Sequence, residues 1–194
     1  MVSESTGSTR SRIQAVALEL FTEQGYEKTS LREIAERLGV TKAALYYHFK
    51  SKEEIVNSVV EDRLARLDAI IERAHTRPDD AAGRHAIIAE YADEFFQHGP
   101  SAMRFFEQNQ TAFKHLSGGQ QMRERLFAMI GLLSRGTDSP ADQLRAALAL
   151  FSIHSSLFAV RGPELSNEER KRVALEVAHE LLDTIDGKPP AGTD

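Results

Sequence analysis

The sequence contains no cysteine and no tryptophan, few prolines, and no apolar run long enough to cross a bilayer. Without cysteine, neither a disulfide framework nor a thiolate metal site can form, and a cysteine nucleophile is excluded. Histidines stand at positions 48, 75, 85, 98, 115, 154 and 179, with no pair at the H-x-x-x-H spacing that sets two ligands on one helix face. The G-x-S-x-G turn of a serine hydrolase is missing as well. A membrane helix needs about 20 consecutive apolar residues. No apolar leader opens the chain, so the expectation is a soluble, cytoplasmic protein. Strand-like alternation is lacking, whereas apolar residues recur at helical spacing, and the predicted fold class is all-α. No enzyme chemistry, metal or cofactor is expected. The 194 residues suffice for one helical domain, or a small module joined to a larger one, without covalent staples.

One stretch that is present points elsewhere. Residues 115–125, HLSGGQQMRER, resemble the signature loop with which ATP-binding-cassette ATPases contact nucleotide. Hydrolysis also needs a P-loop, whose backbone amides cradle phosphates and whose lysine reaches the terminal ones. No Gly-Lys-Ser/Thr occurs, and Gly187-Lys188 runs into Pro189. The string is read as an interhelix turn, Gly118-Gly119, before an amphipathic stretch with Met122, Leu126, Met129, Ile130 and Leu133.

Charge is unevenly placed. The net charge is −5, yet residues 28–52 hold six basic residues (Lys28, Arg32, Arg37, Lys42, Lys50, Lys52) against Glu33 and Glu36. Residues 61–194 hold 16 basic and 21 acidic residues, which accounts for the whole net charge. A basic segment on an acidic chain marks a confined anion-binding face.

Apolar spacing and punctuation predict about nine helices. Ile13, Val16, Ala17, Leu20 and Phe21 form one face of the first, which Gly25 ends. Ser30 and Glu33 make an S-x-x-E capping box for a second, short helix that Gly39 breaks. Thr41 caps a third that runs to about residue 47, and Ser51, again three residues before a Glu, caps a fourth over 51–74. Five more are expected near 80–98, 101–114, 118–134, 139–160 and 166–185, separated by Gly99-Pro100, Ser117-Gly118-Gly119, Asp138-Ser139-Pro140 and Gly162-Pro163. The predicted organisation is a frayed tail over 1–8, a DNA-binding domain over 9–56 with its motif at 30–49, a linking fourth helix, a domain over 75–186, and a mobile tail over 187–194.

The second and third helices with their glycine turn form a helix-turn-helix pattern. Ile34, Ala35 and Leu38 face inward, Val40 fills the turn, and Leu45 and Phe49, four apart, pin the third helix to the core. Small or polar residues then fall on its outward amino-terminal face, at Thr41, Lys42, Ala43 and Ala44. A recognition helix needs such a face, because its first residues enter the major groove and bulk would block the approach. Tyr46 and Tyr47 cannot both face inward, since they are adjacent on a helix.

Over residues 9–56 the sequence, and LGVTKAALYYHFKSKEEI above all, resembles the tetracycline-repressor (TetR) family of bacterial regulators. The resemblance implies an all-helical, two-domain dimer whose first three helices bind operator DNA and whose larger second domain senses a small molecule. By the same resemblance Lys42 and Ala43 read bases, and Ala44 can touch a thymine methyl. Tyr46, Tyr47, His48 and Lys52 match positions that hold phosphates. Arg32 lies where a base or phosphate contact is often found. Ser30 and the amides behind it can hold a phosphate, and Thr41 can bond a phosphate or a base edge.

The carboxy-terminal region is rich in Phe and Met. Such residues at helical spacing serve a core, yet polar groups interrupt the same faces, which is how small-molecule sites are built. The candidate lining for a small, largely apolar effector is Phe96, Met103, Phe106, Phe113, Met122, Phe127, Met129, His154 and Phe158. Two apolar stripes, Leu144, Leu148 and Phe151, and Val173, Val177, Leu181 and Ile185, predict a homodimer through the last two helices. Two alternatives stay open: a regulator that acts without a ligand, and an activator rather than a repressor.

Overall fold

Helix is the only regular structure among the described residues of the computed structural model, which are 8–108, 118–135, 137–160 and 165–185. Eight helices follow in order: α1 Thr9–Gln24, α2 Leu31–Leu38, α3 Lys42–His48, α4 Lys52–His75, α5 Ala81–Gln108, α6 Gly118–Leu133, α7 Pro140–Ala159 and α8 Asn167–Asp183. The all-α class and the near count agree with expectation. The difference lies in α5, which joins two expected helices by running through Pro100. An interior proline costs about 3 kcal/mol or more through its missing N–H and its clash with the preceding turn. Buried Phe95 and Phe96 lie before it and buried Ala102 and Phe105 after it, and their burial offsets that cost. Gly118 and Gly119 likewise belong to the first turn of α6 rather than to a separate turn; Ser117 lies outside the described residues.

The chain divides into two compact units, residues 1–63 with 101–118, and residues 64–100 with 119–194. In the first, Ile13, Ala17 and Phe21 of α1, Ile34 of α2, Leu45 of α3, Phe49, Ile55 of α4 and Phe105 of α5 are fully buried in one cluster. Phe21 meets Tyr26 edge-on at 5.0 Å and Phe105 at 5.3 Å, aromatic pairs that fix the angle at which the chain leaves α1. A buried polar link joins α1 to α4: the Gln14 amide donates to Ser58 Oγ at 2.9 Å and to Asp62 Oδ2 at 2.6 Å. Each polar group taken from water there has a partner, so the link costs little and sets the register of the two helices.

In the second unit α7 and α8 form an antiparallel pair. Ala146, Ala149 and Ile153 are buried on one helix, and Ala174, Ala178 and Leu182 on the other. Small side chains at these positions let the backbones approach, and Ser152 Oγ donates across to the Ala174 carbonyl at 3.1 Å. Arg125 of α6 grips Asp68 of α4 with two parallel hydrogen bonds of 3.0 Å each. Among the described residues no helix is long and apolar enough to cross a membrane.

Candidate nucleic-acid interface

The motif over 30–49 is built from caps. Ser30 Oγ accepts from the Glu33 amide at 3.2 Å, and the Glu33 carboxylate accepts from the Ser30 amide at 2.7 Å, completing the box. Hydrogen bonds from the Ser30 hydroxyl and amide hold the Glu33 carboxyl below its ordinary range. Gly39 closes α2 at φ 72°, a left-handed turn open to glycine at no steric cost, and its amide returns to the end of that helix. Thr41 Oγ1 then accepts from the Ala44 amide at 3.1 Å to start α3. At α4 the expected cap is half different. Ser51 Oγ accepts from the Glu54 amide at 3.1 Å, but the Glu54 carboxylate turns to the Lys50 amide at 2.6 Å.

α3 has two unlike faces. Leu45, and Phe49 at its carboxy-terminal cap, are 0 % exposed, whereas Thr41, Lys42, Ala43 and Ala44 all face solvent. Tyr47 stands out at 81 % exposure, with the half-buried His48 ring edge-on at 5.3 Å, and Tyr46 lies at the margin with the Lys42 ammonium 5.4 Å from its ring. This is a narrow, small-residue ridge flanked by aromatic hydroxyls and cations, held rigidly by its own buried side. Lys50 caps the carboxy-terminal end, its ammonium donating to the Tyr46 carbonyl at 2.5 Å.

The remaining candidates sit differently. Arg32 is exposed and paired with Glu36 at 2.7 Å, a surface pair that gives way to a phosphate at small cost. Ser30 is exposed at the start of α2. Lys52 is half-buried and turned inward: its ammonium donates to the Tyr26 carbonyl at 2.6 Å and lies 4.4 Å from the Tyr26 ring centroid. A cation outside the sequence-based set joins the surface, because Arg10 of α1 stacks on the Phe49 ring at 4.6 Å. In the sequence it reads as a solvated charge on a first helical turn; only folding brings it beside the end of α3.

The described candidate effector-lining residues differ in exposure and in the unit they belong to. Phe96 and Met129 are buried in the second unit and Met122 is partly buried there, while Phe127 and Phe158 are exposed, at 64 % and 49 %. Met103 belongs to the first unit. Phe113 lies outside the described residues, as does the side chain of Phe106. His154 is the centre of an aromatic group that helical spacing reveals only in part: its Nε2 shares a hydrogen bond with the buried Tyr91 hydroxyl, and the Phe95 ring is 4.9 Å away. Tyr91 stands one helical turn before Phe95, a spacing that marks the shared face but not its partner on α7. Among the described residues no group of three or more His, Asp or Glu could hold a metal ion.

Residues 13–59 match the model of the bacterial regulatory proteins of the tetR family. The transcriptional regulator AcrR of Shigella flexneri is 49 % identical over 53 residues, 27 % of this chain and 25 % of that protein. The transcriptional repressor KstR2 of Mycolicibacterium smegmatis is 31 % identical over 102 residues, 45 % of this chain and 50 % of that one. The chain thus spans a quarter to a half of the length of these curated relatives. A solved structure reaches further: the TetR family regulator PfmR from Thermus thermophilus superposes with a TM-score of 0.66 at 27 % identity, over 93 % of this chain and 100 % of that one. All of these are regulators of transcription rather than enzymes. The helix-turn-helix over residues 13–59 thus matches the tetR family of bacterial regulatory proteins, and the all-helical architecture is similar to that of a solved TetR family regulator.

Proposed function

We propose that this regulator is a cytoplasmic repressor that binds palindromic operator DNA as a two-fold dimer and is released by a small, largely apolar effector. The observation that carries the DNA reading is the split of α3 between a fully buried side, Leu45 and Phe49, and an exposed ridge of Thr41, Lys42, Ala43 and Ala44. On that reading α3 lies in the major groove, Lys42 donates to base acceptors, and the Ala43 and Ala44 methyls meet base edges without steric conflict. Ser30, Arg32, Thr41, Tyr46, Tyr47 and His48 hold the flanking phosphates and fix the register. A second copy joins through the exposed residues of α7 and α8, Leu144 and Phe151 at 60 % each, Leu148 at 45 % and Val177 at 42 %. Four large apolar side chains in water need cover, and one motif reads too few base pairs to select a site alone.

The effector reading rests on the His154 group, a polar pair inside an aromatic surround, with Phe96 and Met129 buried in the same unit. α4 is part of both units. A ligand that favours one position of it therefore shifts operator affinity only by its differential binding to the two states, about 1–3 kcal/mol of coupling. Lys42→Ala tests the DNA reading against a duplex that the native protein selects from a random pool. The expected result is a loss of about 1–3 kcal/mol with relaxed specificity at one base pair. Native affinity in that variant overturns the assignment of α3. A thermal-shift screen of apolar metabolites tests the effector. Hits that leave operator affinity unchanged defeat the coupling.

A further inference from the structure

Glu94 stands near the middle of α5, in the part of that helix that belongs to the second unit. Its helical neighbours fix its direction. Ile87, two turns earlier, is 0 % exposed. Glu90, one turn earlier, pairs with Arg73 of α4 and with Arg77 just beyond that helix. Tyr91, also about one turn earlier, shares a hydrogen bond with His154 of α7. Residues one and two turns apart lie on one helix face, so Glu94 points inward, between the side of α5 that meets α4 and the side that meets α7. Its side chain is only 10 % exposed. Oε2 shares a hydrogen bond of 2.9 Å with Nδ1 of His98, whose own side chain is 46 % exposed. Oε1 is buried without a hydrogen-bond partner, and it is the one side-chain oxygen in that condition among the described residues. The other buried polar atoms without a partner are arginine and histidine nitrogens.

We propose that Glu94 is the polar anchor of the effector site, and that the effector is a basic amphiphile whose protonated amine donates to Glu94 Oε1. The inference rests on the effector reading above and narrows its chemical class. A carboxylate accepts and does not donate, so it selects a molecule that brings N–H or O–H groups. An alcohol supplies a neutral hydrogen bond. An ammonium supplies a charge-assisted one and also neutralises a carboxylate held away from water. A carboxylic acid is disfavoured, because two like charges in a low-dielectric interior repel. The surroundings suit an apolar body: Phe95 and Phe96 on α5 and Met129 on α6 are all buried in this unit. The Tyr91 hydroxyl and His154 Nε2 bond each other, whereas the acceptor at Glu94 is unused. A buried acceptor without a donor destabilises the ligand-free fold, and a ligand that satisfies it recovers that free energy on binding.

The test titrates native protein and Glu94→Gln with three probes of one chain length, decylammonium, decanol and decanoate, each kept below micelle formation. Titration calorimetry gives the affinities, and thermal melting without probe reports the fold. Glutamine has nearly the same shape and keeps an acceptor for His98 while losing the charge. Native protein should bind decylammonium about tenfold more tightly than decanol, with decanoate weakest. In Glu94→Gln the preference for the amine over the alcohol should disappear, and decanoate should gain. The ligand-free variant should melt no lower than native, since a buried charge with an unused acceptor does not stabilise the fold. An amine preference that is absent from native protein, or unchanged in the variant, overturns the proposal. Earlier melting with the native ranking retained marks Glu94 as a structural partner of His98 and overturns it too. So does a native protein that binds none of the three probes; the effector reading then stands or falls on the screen of apolar metabolites. Decylammonium that binds through Glu94 and leaves operator affinity unchanged upholds the site and defeats only its coupling to DNA.

Discussion

The two units of this chain use exposed side chains in opposite ways. In the first, the outward face of α3 carries small and cationic residues over a side that is completely buried. In the second, the outward faces of α7 and α8 carry Leu144, Leu148, Phe151 and Val177 over a packed seam of alanines. The first surface is stable in water as it stands and, on the proposed function, gains by meeting a polyanion. The second is apolar enough to be costly in water and, on the same proposal, gains by meeting its own copy. On that proposal, surface chemistry more than the helices beneath separates a face that meets DNA from one that a second copy covers.

The largest expected effect attacks the apolar face. Leu148→Glu with Phe151→Glu should yield a monomer in sedimentation at micromolar protein and reduce operator affinity about a hundredfold to ten-thousandfold, because two linked half-sites become one. A dimer that survives both charges would show that the stripe is not its interface, and the contrast between the units would fall. Next comes Leu45→Ala, which removes the buried anchor of α3. It should cost about 2–5 kcal/mol of stability. Hydrogen exchange locates the loss: amides of α1 to α3 should lose protection while those of α7 and α8 keep theirs. Equal loss in both units would mean that they do not differ in local stability.

A smaller effect is expected from Ser30→Ala, about 0.5–2 kcal/mol from the lost cap of α2, measured by urea unfolding. The finest comparison is by pH. The His179 imidazole is held below its ordinary value of 6.5, first by burial and then by His85, whose ring stacks on it at 4.0 Å, with Asp183 acting the other way. Its folded pKa is below the unfolded one. The stability it contributes to the second unit is therefore present above 6.5 and lost as pH falls from there through the lowered value. Glu33 in the first unit is also lowered, through its bonds to Ser30, so its contribution is kept until pH falls below its ordinary 4.5. Acidification should accordingly weaken the second unit before the first, and His179→Gln should remove that order. Exchange protection in α8, followed against pH, checks it.

The helix-turn-helix was largely legible because its signals are short-ranged. Ser30 and Glu33, Gly39, Thr41, and the pair Leu45 and Phe49 all act within about one helical turn, so spacing alone places the caps, the break and the buried side. The second unit was less legible for the same reason inverted. Phe96 and Phe127 look alike in a sequence, yet one is buried and the other open to solvent, since helical spacing names a face without saying what covers it. Tyr91 and His154 are 63 positions apart, and no local rule pairs them.

By itself the sequence determined the all-helical class, the caps and glycine break around α2 and α3, and the ridge of small residues at 41–44, each a consequence of backbone propensity and four-residue spacing. Tertiary structure alone decided the rest. It carried α5 through Pro100, where burial on both flanks outweighed a local break. It laid Arg10 against Phe49, and it turned Lys52 from solvent to the carbonyls of Tyr26 and Glu27. A charge in a sequence has no direction. Only the fold shows which partner lies within reach, because contacts across tens of residues follow from how the core closes.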